Sequence, residues 1–382
     1  MVILDVKGVF DMTEYKSIQE LLNILCSCIV VDDSGQSYIR TKASSVKPDP
    51  GPDPDPGPDP DPGPSPTFTS IAKEYEALTS SYNQYLRNNH LTGICSGLYD
   101  NVESLTFKEA LQQSAFVTVK FKYGAGGILR VADVLIKNEN GEIYLQTADT
   151  LNWFDPKDKP FQIKCGHLLA IRVDADIAEY TTSKYIAPKF TVGTKEDSCF
   201  AYLLGDLYGL INGAKEGTSD IYYNLFARMF EYSPRLVYTN VRYPNIIGQD
   251  IYNNMFANCT SLKTANLYIG GKPAPDLNCT GFAESIFDGC STLDNLNLKI
   301  YCVNITPDRM FKNAFNNTNI TALDIIRVTA IQSSLTSEDI DYPLYNWLGG
   351  ASNRTGTIKK QQGLSLTENS DSGIPTNWTI IN

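Results

Sequence analysis

An aromatic residue recurs at positions 230, 256, 287 and 315, and each one opens the same short phrase. A small residue stands three positions on (Ser233, Cys259, Cys290, Thr318), and an aliphatic residue follows it (Leu236, Leu262, Leu293, Ile320). The periods are 26, 31 and 28 residues. A second aromatic stands four or five residues upstream (Phe226, Tyr252, Phe282, Phe311), a spacing that puts both rings on one face of a short helix. The segments LKTANLYI, LDNLNLKI and ITALDII come next and read as strands. A unit this small cannot bury its apolar face alone, so it stacks on its neighbours. Residues 218–382 are therefore expected to form a solenoid of helix, turn and strand units with a C-terminal cap.

A second constraint lies upstream. Ten of the 20 prolines occupy alternating positions from Pro48 to Pro66, in a repeating D-P-G-P-D-P hexapeptide. Alternating proline removes every second amide donor and pushes each preceding residue into the extended region, which excludes helix and central strand. Residues 47–66 thus read as an extended polyproline-II-like linker, about 60 Å long at about 3.1 Å per residue. Its five aspartates discourage collapse. The D-x-D-x-G pattern resembles a calcium loop, but proline at every second position prevents the chain from wrapping an ion.

The linker separates two kinds of sequence. Residues 1–46 read as a small α/β module: a strand, a helix with the Ser17-x-x-Glu20 capping box, then a hairpin through CSCIVV and QSYIRTKA. So small a piece is expected to pack on a partner or on copies of itself. After the linker, Phe68, Ile71, Tyr75, Leu78, Tyr82 and Tyr85 follow 3-4-3-4-3 spacing, an a/d seam of nearly three heptads. We read residues 67–93 as a self-associating stalk helix, a short coiled coil; the alternative is an amphipathic helix lying on its own domain. Residues 94–217 alternate in short segments joined by turn signals such as Asn140-Gly141 and the Gly124–Gly127 run, expected to be a hairpin turn. They predict an all-β, sandwich or jelly-roll-like domain. The expected fold class is thus multidomain and mainly β.

The chain carries 32 basic and 43 acidic residues, a formal charge of −11. That field repels phosphate backbones, and no local basic run reverses it, so nucleic acid is not an expected partner. No apolar run approaches the roughly 20 residues of a membrane-spanning helix. The N-terminus shows no basic region or small-residue cleavage site, so no Sec export is expected. The nine cysteines, Cys26 and Cys28 among them, read as reduced thiols, and with two histidines no zinc site is expected.

Cys165 with His167, and Asp174 with Asp176, offer a thiol–imidazole pair and a carboxylate pair, but no matched third group accompanies either. No enzymatic activity, catalytic residue, metal or cofactor is expected. The N-x-T triplets at Asn258, Asn278, Asn304 and Asn319 read as polar turn residues of the repeats. Among the 22 tyrosines, Tyr238, Tyr243 and Tyr268 are candidate ligand-facing platforms, with packing between coils as the alternative.

The repeats resemble the BspA-like leucine-rich repeats found in Bacteroidetes and their phages, whose pattern is roughly M-F-x-x-C-x-x-L-x-x-L. Met255-Phe256-Ala257-Asn258-Cys259-Thr260-Ser261-Leu262 follows it closely. Met229-Phe230 and Ile286-Phe287-Asp288-Gly289-Cys290 follow it partly, and the unit at Phe315 is one residue short and lacks the cysteine. The tail, from YNWLGG to SGIPTNWTIIN, is similar to the closing segment of gut-phage proteins that carry such repeats. The resemblance covers about residues 220–382. Together with the layout of module, spacer, stalk, knob and repeats, it implies a bacteriophage head fibre: a homotrimer or dimer held on the capsid by residues 1–46, with repeats facing a host protein or glycan. A bacterial cell-surface adhesin is the alternative.

Overall fold

Alternating apolar and polar residues place one face of a strand on a core, as in Phe116–Lys122, and the described part of the chain is mainly β. The computed structural model describes residues 29–31, 37–39, 79–97, 116–122, 128–134, 136–137, 143–144, 148–157, 159–164, 166–174, 188–210, 222–243, 248–270, 280–301, 304–305, 308–324, 330–331, 335–360 and 362–381. Among them one α-helix, α1, spans residues 79–88. The strands are β1 (Ile29–Val31), β2 (Ser37–Ile39), β3 (Thr92–Gly97), β4 (Phe116–Lys122), β5 (Ile128–Asp133), β6 (Ile136–Lys137) and β7 (Ile143–Tyr144). Next come β8 (Phe161–Lys164), β9 (Leu168–Asp174), β10 (Lys189–Val192), β11 (Phe200–Asp206), β12 (Tyr222–Tyr223), β13 (Leu236–Arg242) and β14 (Gly248–Gln249). The series ends with β15 (Thr264–Gly270), β16 (Asn295–Tyr301), β17 (Asn304–Ile305), β18 (Ala322–Asp324), β19 (Ala330–Ile331), β20 (Gly356–Lys359) and β21 (Trp378–Ile381).

The chain divides into two compact units. The first comprises Met1–Pro64 with Leu135–Thr147. Its described segments are the antiparallel hairpins β1–β2 and β6–β7, the second bracketing Asn140-Gly141. The second unit comprises Ser65–Val134 with Ala148–Asn382.

The second unit is built in two layers. One is a seven-stranded sheet in the order β16-β15-β13-β11-β3-β9-β5. From β11 to β16 it is parallel, and from β11 to β5 antiparallel. The boundary expected near residue 217 therefore does not divide one sheet from another: β11, from the predicted β domain, pairs directly with β13, from the predicted repeats. The facing layer begins with the sheet β10-β4-β8. β4 and β5 lie in different sheets; the Gly124–Gly127 run between them, expected as a hairpin turn, is outside the described residues.

The facing layer continues past β10 in a form the aromatic spacing did not predict. Residues 224–232, 250–258, 281–289, 309–317 and 341–350 are not helices but chains of tight turns. Every fourth residue is left-handed, including Asn254 (φ 53°), Asn258 (φ 60°), Ser285 (φ 54°), Gly289 (φ 74°), Asn313 (φ 54°) and Asn317 (φ 55°). Alternate amides close a local turn, as from Met255 to the Tyr252 carbonyl (3.1 Å). The others cross to the next coil, as from Tyr252 to Phe282 (2.9 Å), Asn254 to Glu284 (2.9 Å) and Phe256 to Ile286 (2.9 Å). All these polar groups are thus satisfied, as burial requires. A helix and a four-residue turn repeat both bring residues i and i+4 to one face, so ring spacing does not separate them. The asparagines and glycines four apart do, because those types tolerate left-handed backbone and weaken a helix.

Coil stacking aligns the rings. Phe190 of β10 stacks on Phe230 at 5.2 Å, and the column runs on through Phe256 (5.6 Å), Phe287 (5.3 Å), Phe315 (6.2 Å) and Trp347 (6.1 Å). Trp347, expected in a closing segment, sits in a fifth coil. The small residue after the ring reaches back one coil: Ser233 Oγ to the Phe190 carbonyl (3.5 Å), Cys259 Sγ to the Phe230 carbonyl (3.1 Å), and Cys290 Sγ to the Phe256 carbonyl (3.0 Å). Thr318 instead turns to its own Phe315 carbonyl at 2.8 Å. One apolar core runs from Val117 and Ile94 to Trp378.

Candidate functional site

The core-facing side of the seven-stranded sheet carries Ile94, Leu129, Ile171 and Leu203. Helix α1 covers a portion of the opposite side. Tyr82 and Leu86 are fully buried there, and a Cβ on Gly93 would stand 2.5 Å from Leu86 Cδ1. Tyr82 Oη donates to the Gly166 carbonyl (3.1 Å), Asn83 Oδ1 accepts from the Gly205 amide (2.7 Å), and Arg87 Nη2 donates to Asn240 Oδ1 (2.9 Å). Gly205 is left-handed (φ 94°), and a Cβ there would meet the Leu91 carbonyl oxygen at 2.4 Å, so only glycine fits beneath the helix.

Of the expected coiled-coil seam, Tyr82 is therefore corrected: it packs on its own unit, and the inward face of α1 is Tyr82, Asn83 and Leu86. Tyr85 is half-buried, and burial pushes its hydroxyl up to about 12. Phe68, Ile71, Tyr75 and Leu78 lie outside the described residues.

Beyond α1 the same side of the sheet carries half-buried Tyr238 and Thr264 and buried Asn266, with exposed residues on β16. Register aligns Tyr202, Tyr238, Thr264 and Asn295 in one row across β11, β13, β15 and β16. Tyr238 is half-buried, its ring 6.0 Å from Tyr202, and its hydroxyl accepts from Asn240 Nδ2 at 3.1 Å. Asn295 and Asn297 are both exposed. This row of phenol, hydroxyl and amide groups offers one aromatic plate and several donors and acceptors, a chemistry suited to hydroxyl-rich or peptide ligands.

Among the candidate platforms, Tyr238 belongs to this face. Tyr243 does not: it is buried, its hydroxyl donates to the Asn266 carbonyl (3.1 Å), its ring meets Tyr252 edge-on (5.4 Å), and burial raises its pKa. Tyr268 lies in β15, register partner of Lys299, and its side chain is outside the described residues. Asn266 bridges the strands where backbone pairing stops, accepting from the Val241 amide (3.1 Å) and donating to its carbonyl (2.9 Å).

Of the groups considered for chemistry, His167 and Asp174 are held in surface ion pairs. His167 Nδ1 lies 3.2 Å from Asp133. Asp174 is flanked by Arg130 and Arg172, each 3.1 Å away, and Arg172 also stacks on Trp153. Cys165 and Asp176 are outside the described residues. No cluster of three or more His, Cys, Asp or Glu side chains suited to a metal occurs among the described residues.

Two carboxylates in the turn layer are shifted. Burial raises Glu284 despite Arg309 and Lys312 beside it. Burial likewise raises Asp288 above its ordinary value of 3.8, against hydrogen bonds from Asn316 Nδ2 (2.9 Å) and Asn317 Nδ2 (3.4 Å). The folded state therefore holds the Asp288 proton more tightly than the unfolded chain does. That contribution is complete below 3.8 and disappears as pH rises through the folded value. The melting temperature of the wild type relative to Asp288→Asn accordingly falls with rising pH across that window and is level above it. A difference that grows with pH would contradict a desolvated Asp288.

The chain matches no protein-family model, and no curated protein or solved structure matches it.

Proposed function

We propose that this chain is a bacteriophage virion structural protein, an oligomeric head fibre that anchors through residues 1–46 and displays the coils of 218–382 for adhesion to a host-surface protein or glycan. The observation that carries the reading is the sheet face with half-buried Tyr238 and Thr264 and exposed Asn295 and Asn297, set on coils whose rings and amides interlock. Rigid elements present such groups at low ordering cost, which favours binding. In this reading the turn-and-strand coils are a BspA-like leucine-rich-repeat solenoid, the sandwich is its N-terminal cap, and no enzymatic role is assigned. The linker gives reach, and self-association through Phe68, Ile71, Tyr75 and Leu78, as a trimer or dimer, gives avidity. A bacterial surface adhesin would use the same face; the order of small module, stiff spacer, stalk and terminal coils favours the virion.

Light scattering and adhesion assays on the full chain test the proposal. The expected species is a multiple of 42.3 kDa, and Tyr238→Ala weakens its binding to host cells. A 42.3 kDa monomer would remove the oligomeric stalk, and unaltered binding by the variant would remove the sheet face.

A further inference from the structure

The outer face of the sheet β10-β4-β8 gathers charge that the sequence scatters over three distant segments. Its strands read FVTVKFK, FQIK and KFTV, with four lysines and no Asp or Glu. Lys120, Lys122 and Lys164 are exposed and Lys189 is half-buried, and strand alternation puts all four on the side away from the core. Lys122 and Lys189 are direct cross-strand partners, an arrangement that costs stability because like charges face each other. The first turn coil adjoins β10, with the Phe190 amide donating to the Met229 carbonyl at 2.7 Å. It adds Arg228. Burial lowers the Lys189 pKa, and the charges of Arg228 and Lys122 add to that shift; Glu231 is the acid that opposes them. None of the four lysines has an ion-pair partner among the described residues.

The first coil departs from the others on this same surface. Its left-handed positions hold Arg228 and Tyr232 (both φ 58°), where later coils place Asn254, Ser285 and Asn313, or Asn258, Gly289 and Asn317. Bulky side chains are disfavoured in that conformation, and both are exposed, Tyr232 by 62%. Crowded like charges and strained, exposed side chains on one surface both cost stability, and such costs collect at functional sites.

We propose that the face formed by Lys120, Lys122, Lys164, Lys189, Arg228 and Tyr232 binds an acidic polysaccharide. The cations pair with uronate carboxylates, Gln162 and Thr191 meet sugar hydroxyls, and Tyr232 offers a plate for a pyranose ring. The flat strand surface suits an extended polymer, with Lys120 and Lys122 about 7 Å apart along β4. The net charge of −11 opposes any long polyanion beyond the patch, so the contact is confined to this face. The inference deepens the adhesive reading, on which it rests, by naming a ligand class and a second surface.

Polygalacturonate is the probe, with neutral dextran as control and phosphatidylglycerol vesicles as a further arm, all against the full chain. Wild type binds polygalacturonate and not dextran, and binding weakens from about 0.05 M to about 0.5 M salt as screening grows. Lys122→Glu with Lys189→Glu weakens it by about tenfold or more. Tyr232→Asn, which suits the left-handed backbone, raises the melting temperature yet weakens binding, a combination that a purely structural Tyr232 does not produce. No polygalacturonate binding at low salt, binding indifferent to the lysine changes, or binding to vesicles alone would each overturn the proposal. Host-cell adhesion that survives the lysine changes but not Tyr238→Ala overturns it while leaving the adhesive reading standing, whereas a wild type that fails to adhere at all removes that reading itself.

Discussion

Phe256→Ala lowers the stability of the second unit by about 3–5 kcal/mol, the cost of a large cavity at a site that cannot collapse. Phe256 is fully buried between Phe230 and Phe287, its ring within 7° of parallel to both. Its carbonyl receives the Cys290 thiol and its amide crosses to Ile286, so the backbone on either side is pinned and cannot move in to fill the space. Because the antiparallel strands and the coils share one sheet and one core, unfolding stays a single transition in the variant. Urea titration followed by tryptophan fluorescence and by far-ultraviolet circular dichroism checks both points: the two curves coincide and shift together. Separate transitions would mean that the coils fold apart from the antiparallel strands.

Arg242→Ala has the second large effect. Asp206 ends β11 with a side chain wholly shielded from water. Its carboxylate accepts from Arg242 Nε (3.0 Å) and Nη2 and from the Tyr208 amide (3.0 Å), with His90 Nδ1 at 3.3 Å. Removing the arginine strands a buried carboxylate. Breaking a buried pair costs about 3–5 kcal/mol, and since roughly half of the Arg242 side chain meets water the expected loss is nearer 2–4 kcal/mol. Asp206→Asn relieves the stranded charge, so the double variant is more stable than Arg242→Ala alone. A double-mutant cycle by denaturant unfolding measures this; strictly additive losses would mean that the pair is not coupled.

These two sites show what the sequence discloses and what it hides. Alternation alone marks β4, β8, β9, β10, β11, β15 and β16, and the spacing of Phe230, Phe256, Phe287 and Phe315 marks the column of stacked rings. What stays hidden is pairing between distant segments. Nothing local says that Ala201 and Leu236 become register partners, so that one sheet takes strands from both expected domains. Tyr82 continues a heptad pattern from Phe68, yet its partner is Gly166, 84 residues away. The basic face is illegible for the same reason: Lys122 and Lys189 meet only through β4–β10 pairing. The turn coils were open to a closer reading, because Asn254 and Asn258, or Asn313 and Asn317, stand four apart where a helix gains nothing from asparagine.

The fibre function proposed above would make the chain a component of a particle. Quantitative mass spectrometry of virions purified from a phage whose genome carries this sequence is the most direct test of the proposal. A head fibre is expected at a copy number in fixed proportion to the capsid protein, persisting through density-gradient purification. Absence of the chain from such particles, or recovery only in traces that wash away, would contradict the assignment.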